Sequence, residues 1–379
     1  MAETIYLIDA MGLAFRAYYA IRAALTDAKG RPTNALYGFA RILLKTLREH
    51  EVQHIAVVFD APGKTFRDDL YEHYKATRQE TPQDLKDQFP MMHRLVEALN
   101  LPLFVVPGVE ADDVIGTLAR QAEAAGMEAV ILTADKDMQQ LVSERIRIFD
   151  PGKGEDGKWI GIPEVIERFG AGPEHVVDAL ALIGDTADNV PGVRGIGDKT
   201  AKTIIEKYKS LEGIYEHIED FKGKQKERLI EDREQAFFSR QMVTIKTDVA
   251  LDRTPAHCGR ADIERERLIE AFSEFGFHAM LEELLPKGGG EAEPEHLDYT
   301  LVLDEETLTR IIEDIRAGGA CATIANGGGG GAGGLKSTFT GAISTIPGSG
   351  TKGTNGTAHS NVPGVSGIQG YVRVKYVSP

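Results

Sequence analysis

Cysteine is scarce in this chain. Cys258 and Cys321 are the only two among 379 residues, which excludes a disulfide framework and a cysteine-rich zinc site. Both read as inert thiols. No apolar run approaches the ~18 residues of a membrane span. No Gly-x-x-x-x-Gly-Lys-Ser/Thr loop occurs, so use of ATP is not indicated. The 10 histidines show no ligand spacing such as His-Glu-x-x-His, and none is assigned a role. Met1–Asp9 places no basic stretch ahead of its apolar run, so no signal peptide is read and a reducing cytoplasm is expected. Positive charge is also short: 43 Lys and Arg face 58 Asp and Glu, a formal net charge of -15. That balance argues against a broadly basic nucleic-acid binder. It leaves open one whose basic groups are local and whose acids hold cations.

Acid is missing from one end. Residues 318–379 contain no Asp or Glu, and their only charges are Lys336, Lys352, Arg373 and Lys375. Rich in Gly, Ser and Thr, this composition buries too little apolar surface to offset its ordering entropy, so residues 324–379 are expected to be a disordered, Gly-rich tail. Upstream, strand and helix signals alternate. Thr4–Ile8, His54–Phe59, Leu103–Val106 and Ala129–Thr133 are short apolar runs of strand length. Residues 33–49, Pro90–Leu99 and Ala111–Ala125 carry helical stripes, and a further helix is expected from about Met138. This order predicts an α/β domain over residues 1–170, with a parallel central sheet flanked by helices on both faces. Residues 171–285 read as helical, and 286–296 as a linker.

The acids of the first domain are not scattered. Asp9, Asp60, the group Glu110, Asp112 and Asp113, and the pair Asp135 and Asp137 each follow one of the four strands. Residues just past the carboxyl ends of parallel strands converge on one crevice. Carboxylates gathered there raise each other's pKa, and bound divalent cations relieve the repulsion; an all-oxygen set suits Mg²⁺ or Mn²⁺. Any one of these acids taken singly reads as a helix cap or a solvated loop carboxylate; all seven together do not. Asp185 and Asp188 lie further on, in Gly184-Asp185-Thr186-Ala187-Asp188-Asn189. They read either as a plain turn or as the completion of a second metal site.

Together these segments resemble the 5′ nuclease (5′–3′ exonuclease, flap endonuclease) domains found at the N-terminus of bacterial DNA polymerase I. Leu7-Ile8-Asp9, Val58-Phe59-Asp60-Ala61, Glu110-Ala111-Asp112-Asp113, Thr133-Ala134-Asp135-Lys136-Asp137 and Gly184-Asp185-Thr186-Ala187-Asp188-Asn189 follow that family's acidic motifs in its order, over roughly residues 1–285. The resemblance implies a PIN/resolvase-like core with a helix–hairpin–helix domain after it. It implies two metal ions, one held by Asp9, Asp60, Glu110, Asp112 and Asp113, the other by Asp135, Asp137, Asp185 and Asp188. The reaction implied is phosphodiester hydrolysis that leaves a 5′ phosphate, on DNA with 5′ flaps, nicks or RNA primers, by a monomer with no membrane role.

Two further segments suit DNA. Gly195-Ile196-Gly197, between helical stretches and followed by Lys199, Thr200 and Lys202, reads as a helix–hairpin–helix turn; glycines let backbone approach a phosphate, and helix N-terminal amides attract it. In the family this element grips duplex backbone without reading sequence, often with a monovalent cation, here K⁺. Residues 64–86 interleave basic and aromatic side chains, a pattern that suits single-stranded DNA; a solvated amphipathic helix is the plainer alternative. By resemblance this is the helical arch, with Lys75 and Arg78 on the scissile phosphate and Tyr74 stacking on a displaced base. Arg16 is a weaker phosphate candidate, equally readable as an ion-pair partner.

Residues 297–323 resemble the opening strand and helix of a proofreading-exonuclease-like domain. Cys321–Ala325 carries no Asp-x-Glu metal motif, and the glycine run follows at once. A truncated or frame-shifted gene is the plainer reading and a genuine tail the other; neither polymerase nor proofreading activity is expected. The competing functional reading is a catalytically silent DNA-structure-binding module.

Overall fold

The computed structural model describes residues 3–152, 157–284, 300–302, 321–327 and 371–377. The expected linker 286–296, most of the segment 297–323 and most of the tail lie outside the described residues. Residues 1–285 make one compact unit and 286–379 a second.

The first unit is built on a six-stranded sheet. β1 (Thr4–Asp9), β2 (His54–Asp60), β3 (Leu103–Val106), β4 (Glu128–Leu132) and β5 (Ile146–Asp150) run parallel, and β6 (Lys158–Ile160) closes the edge antiparallel to β5. The order is β3-β2-β1-β4-β5-β6. The chain winds outward one way from β1 and the other way from β4, so a crevice opens at the carboxyl ends of these two strands. Register aligns those ends: Asp9 faces Val58, Asp60 faces Val106, and Ile8 faces Leu132. Sequence patterning anticipates β1 to β4 but not β5 and β6, and the helix expected from Met138 is only the 3₁₀ turn Asp137–Leu141, because the chain needs these residues to re-enter the sheet.

Alternation along the strands sorts the core into two layers. Ile5, Leu7, Val58 and Ile131 face one side, against Val114, Ile115 and Leu118 of a helix spanning Ala111–Ala124. Tyr6, Ile8, Val57 and Phe59 face the other, against Leu13, Phe39, Leu95 and Phe272 of the helices on that side. In chain order the helices through this region are α1 (Ala10–Ala20), α2 (Asn34–Glu49), α3 (Phe66–Leu70), α4 (Gln83–Lys86), α5 (Phe89–Ala98) and α6 (Ala111–Ala124). Between α3 and α4 the chain turns through residues 72–77. The expected arch over 64–86 is therefore two short helices and a turn, interrupted where Lys75 takes a left-handed φ of 56°.

Residues 162–243 carry six α-helices: α7 (Ile162–Phe169), α8 (Val176–Ile183), α9 (Asp198–Tyr208), α10 (Leu211–Glu216), α11 (Gly223–Glu231) and α12 (Arg233–Val243). Their apolar residues, Leu180 and Ile205 among them, belong to the same core layer as α6. The chain then returns to the sheet. Ile55 donates its amide to the Cys258 carbonyl at 2.9 Å and Arg260 to Gln53 at 2.8 Å. α13 (Arg265–Phe275), followed by α14 (His278–Leu284), seats Phe272 and Phe275 in the opposite layer beside α5. Two fully buried phenylalanines at about 1.5–3 kcal/mol each suffice to hold that return. The last part of the segment 171–285 thus packs in the layer on the opposite face of the sheet. Burial pushes the Cys258 thiol up to about 11, which makes it inert.

In the second unit, β7 (Thr300–Val302), β8 (Cys321–Gly327) and β9 (Tyr371–Val377) pair antiparallel in the order β7-β9-β8. Residues 324–327 and 371–377 of the tail expected to be disordered are thus strands. The signal is the period-two alternation of Tyr371-Val372-Arg373-Val374-Lys375-Tyr376-Val377, which outweighs the glycine-rich composition around it.

One close approach fixes the loop 185–191. Gly184 and Gly192 have φ of 73° and 62°, and a Cβ on Gly192 would lie 2.5 Å from the Gly184 amide nitrogen. Gly192→Ala is expected to cost about 1–3 kcal/mol through strain and backbone contact, read as a lower urea midpoint at unchanged slope.

Candidate active site

β1 ends on Asp9, which also caps α1. Its Oδ1 accepts the Gly12 amide at 2.8 Å and its Oδ2 the Thr133 hydroxyl at 2.7 Å. A Cβ on residue 12 would come within 2.3 Å of that carboxylate, so the position requires Gly. β2 ends on Asp60, whose Oδ1 accepts the Ala111 amide at 2.7 Å at the start of α6. Glu110 caps α6 and Asp112 lies in its first turn. Thr133 holds the Asp135 amide at 3.0 Å, and Asp135 Oδ1 accepts the Asp137 amide at 2.8 Å. Asp185 Oδ1 accepts the amides of Ala187 and Asp188 at 2.8 and 3.2 Å, so its loop is a turn and a site wall at once.

These eight carboxylates line one cavity of about 260 Å³, together with Arg67, Tyr74, Lys75 and Arg78. Its chemistry follows from crowding. Burial, then the charges of Asp135 and Asp60, raise the Asp9 carboxyl to about 6 against the pull of its two hydrogen bonds. Burial and Asp135 push Asp137 up to about 7. Asp112 is pushed well up by burial and by Asp135, Asp9, Asp60 and Glu110. Asp135 also rises, mainly through burial. Four cations temper the repulsion. Lys75 Nζ pairs with Glu110 and lies 4.0 Å from Asp188. Arg78 is 2.7 Å from Asp188, and Lys136 is 3.4 Å from Asp185. Arg67 reaches the Glu110 side at 3.4 Å.

The structure corrects three expected roles. Asp113 is not in the cavity. It is fully buried behind it, with both oxygens on the Arg67 guanidinium at 2.7 and 2.9 Å. Adjacent residues on a helix point in different directions, and here Asp112 faces the cavity while Asp113 faces Arg67 behind it. Tyr74 is buried, 7% exposed, with its hydroxyl 3.1 Å from both Glu110 and Asp188. It is a wall of the cavity and offers no open ring face for a displaced base. Ile196 is also buried and spends its amide on the Val193 carbonyl, so it pegs the hairpin into the core.

The remaining sites are placed as follows. Arg16 pairs with Asp150 beside the cavity of a second groove and does not line the acidic one. Gly195 has a φ of 76°, and Gly197 caps α9 with open space around it. Lys199 is exposed and Thr200 partly so, while Lys202 donates to the Glu167 carbonyl. Sequence reasoning missed the positioning roles of Gly12, Thr133 and Arg67. Thr133 and Lys136 sit inside a motif quoted for its acids, and Arg67 carries no local signal that separates it from Lys64 or Arg78.

As placed, no three His, Cys, Asp or Glu side chains among the described residues close around a single point tightly enough to enclose an ion. The oxygens are held instead by backbone amides, Lys75, Arg78 and Lys136. The donor set nevertheless fits hard divalent cations: every donor is a carboxylate oxygen, four carboxyls are pushed toward protonation, and Asp137 Oδ1 is buried with no hydrogen-bond partner.

Residues 4–170 match the family model of the 5′–3′ exonuclease N-terminal resolvase-like domain, and residues 171–266 that of the 5′–3′ exonuclease C-terminal SAM fold. The chain is 37% identical over 315 residues to a DNA polymerase I of Bacillus subtilis, covering 83% of this chain and 35% of that protein. It is 42% identical over 316 residues to a DNA polymerase I of Pseudomonas aeruginosa, covering 79% and 34%. The chain thus spans about a third of the length of these curated relatives. Among solved structures, it superposes on a bacteriophage T5 flap endonuclease, in a complex with DNA and metal ions, with a TM-score of 0.53 at 19% identity, covering 75% of this chain and 98% of that one. The catalytic core of Rad2 in complex with DNA substrate gives 0.52 at 14%, covering 75% and 91%. At these identities the likeness is one of fold.

The raised carboxyls fix a pH dependence. Asp9 and Asp137 hold protons more tightly in the folded chain than in the unfolded one, where a carboxyl titrates near 3.8. Their contribution is fully present below that value and is lost as pH rises through about 6 and 7. In chelator, the Tm should therefore fall from about pH 5 to pH 8, and Asp137→Asn should flatten the fall.

Proposed function

Because residues 4–266 belong to the 5′–3′ exonuclease family, we propose that this chain is a structure-specific 5′ nuclease. It hydrolyses phosphodiesters of DNA or RNA–DNA at 5′ flaps, nicks and primer ends, with divalent ions, Mg²⁺ or Mn²⁺, in primer removal and repair. The observation that carries the reading is the cavity itself, where eight carboxylates from strand ends and one loop meet Lys75 and Arg78. A protein that only bound DNA would gain nothing from a pit that repels phosphate.

Asp9, Asp60, Glu110 and Asp112 would hold one ion, and Asp135, Asp137, Asp185 and Asp188 the other. Such ions supply activation of water and neutralisation of the leaving oxygen. The protein's own residues do the rest. Eight acids against a few local cations leave a strong negative excess, which two divalent ions bring close to balance. Lys75 and Arg78, paired with Glu110 and Asp188 in this structure, are placed to exchange those carboxylates for a phosphate as it enters. Charge that develops on the phosphate then meets ammonium and guanidinium groups already in position. Tyr74, whose pKa is raised by burial and by Glu110 and Asp188, stays protonated and keeps its hydroxyl between these two acids. The Gly195–Gly197 turn and Lys199 would hold duplex backbone, so binding should weaken with salt.

The deciding assay is cleavage of a 5′-flap duplex with Mg²⁺ and with chelator. Cleavage only with the ion is expected, and Asp112→Asn should reduce it to background. Lys75→Ala should lower kcat by about 100-fold while changing duplex affinity little. Binding of flap DNA without cleavage at any Mg²⁺ or Mn²⁺ concentration would instead establish the silent binding module. Independently of turnover, Mg²⁺ at 100 times its Kd should stabilise the chelated protein by about 2.7 kcal/mol, and Asp112→Asn should lose most of that gain.

A further inference from the structure

Arg67 is almost wholly buried, with 3% of its side chain exposed. Nε donates to the Met242 carbonyl at 2.9 Å, and Nη2 to the Thr244 carbonyl at 2.9 Å. The two Nη groups grip Asp113 in a parallel pair at 2.7 and 2.9 Å, and Nη1 lies 3.4 Å from Glu110 Oε2. Asp113 is saturated from its other side by the amides of Lys246 at 2.8 Å and Glu110 at 3.1 Å. Three chain segments therefore meet at one ion pair: the base of α3, the start of α6, and the crossing 242–246 at the end of α12.

That crossing also holds the other acidic segment. Gln140 donates to the Val243 and Asp137 carbonyls at 3.0 and 2.9 Å and accepts the Ile245 amide at 3.0 Å. Glu110 and Asp112 on one side, and Asp137 on the other, are thus referred to the same short stretch of backbone. The Glu110 carboxylate is oriented by it: Oε2 faces Arg67 and the Tyr74 hydroxyl, and Oε1 faces Lys75 and the cavity.

Stability alone is a poor reason for this pair. A buried ion pair is commonly no better than apolar residues of the same volume, because desolvation of both charges offsets their attraction. A planar, five-donor fork that fixes four acceptors at once is a device for geometry.

We propose that Arg67 is a positioning residue of the acidic cavity. Acting through Asp113, it holds that carboxylate out of the cavity, sets which Glu110 oxygen faces it, and so fixes the spacing of the acids that take divalent ions. The inference deepens the nuclease reading and rests on it for the reaction, but not for the geometry.

The test uses the full chain, with Mn²⁺ alone as probe. Arg67→Met strands a buried charge and should lower the urea midpoint in chelator. Adding Asp113→Leu removes that charge and should restore the midpoint. If the pair is only structural, function returns with it. If it positions the acids, the double variant should bind Mn²⁺ about 10–100-fold more weakly by electron paramagnetic resonance without DNA. Its kcat on a 5′ flap should fall by a similar factor, with KM changed by no more than about twofold. Arg67→Lys keeps the charge but loses the fork and should show the same Mn²⁺ loss; it decides the matter if the double variant does not fold. Native Mn²⁺ affinity and native kcat in either variant would overturn the proposal. A native chain that binds Mn²⁺ but cleaves no flap would remove the nuclease reading, while the affinity comparison still decides the role of Arg67. A native chain that binds no Mn²⁺ overturns both.

Discussion

Carboxylates at the mouth of a parallel sheet repel one another, and a chain left to itself would let them swing apart or keep them protonated. Here the first escape is closed and the second is only partly taken. Asp9 is locked by Gly12 and Thr133, Asp60 by the first amide of α6, and Asp185 by the amides of its own turn. Each lock is a hydrogen bond between groups that the fold had to satisfy in any case, a strand end or a helix start. The repulsion is carried in part by raised carboxyl pKa values and in part by Lys75, Arg78 and Lys136. The site thus stores unfavourable electrostatics on a scaffold rigid enough to keep them.

Backbone conformation supplies the second half of the site. Lys75 and Asn189 both occupy the left-handed region, at φ of 56° and 59°, where a side chain other than glycine costs about 1–3 kcal/mol. They face each other. The Lys75 amide donates to the Asp188 carbonyl at 3.0 Å, and the Asn189 side chain to the His73 carbonyl at 2.8 Å. Strain at two residues is offset by a zipper between the turn after α3 and the loop after α8. That zipper brings Lys75, Arg78 and Asp188 to the same wall of the cavity.

Much of this was legible in the sequence because parallel strands obey a strong rule. Four apolar runs, each followed by acid, suffice to place Asp9, Asp60, Glu110, Asp112, Asp135 and Asp137 in one crevice without any knowledge of side-chain contacts. The rule fails at Asp113 for a reason equally physical: sequence adjacency on a helix means divergence in space, and only a buried partner 46 positions away shows where the second carboxylate goes. Tyr74 departs from expectation because basic and aromatic interleaving describes composition and says nothing about which rings are covered, and Ile196 because a glycine-flanked turn does not show whether its central residue faces the core. β5 gives no apolar run because Arg147 interrupts it, and β6 is only three residues long. The return of α13 to the sheet escaped because helical periodicity does not say which layer a helix joins.

The zipper between the turn and the loop has a bearing on modularity. The two family models divide the chain between residues 170 and 171, yet Asp185 and Asp188 come from beyond that seam and the posture of Lys75 is imposed from across it. The halves are therefore not interchangeable parts. A sheet domain grafted onto a foreign helical partner would keep its strand-end acids but lose the neighbour that tells its lysine where to stand.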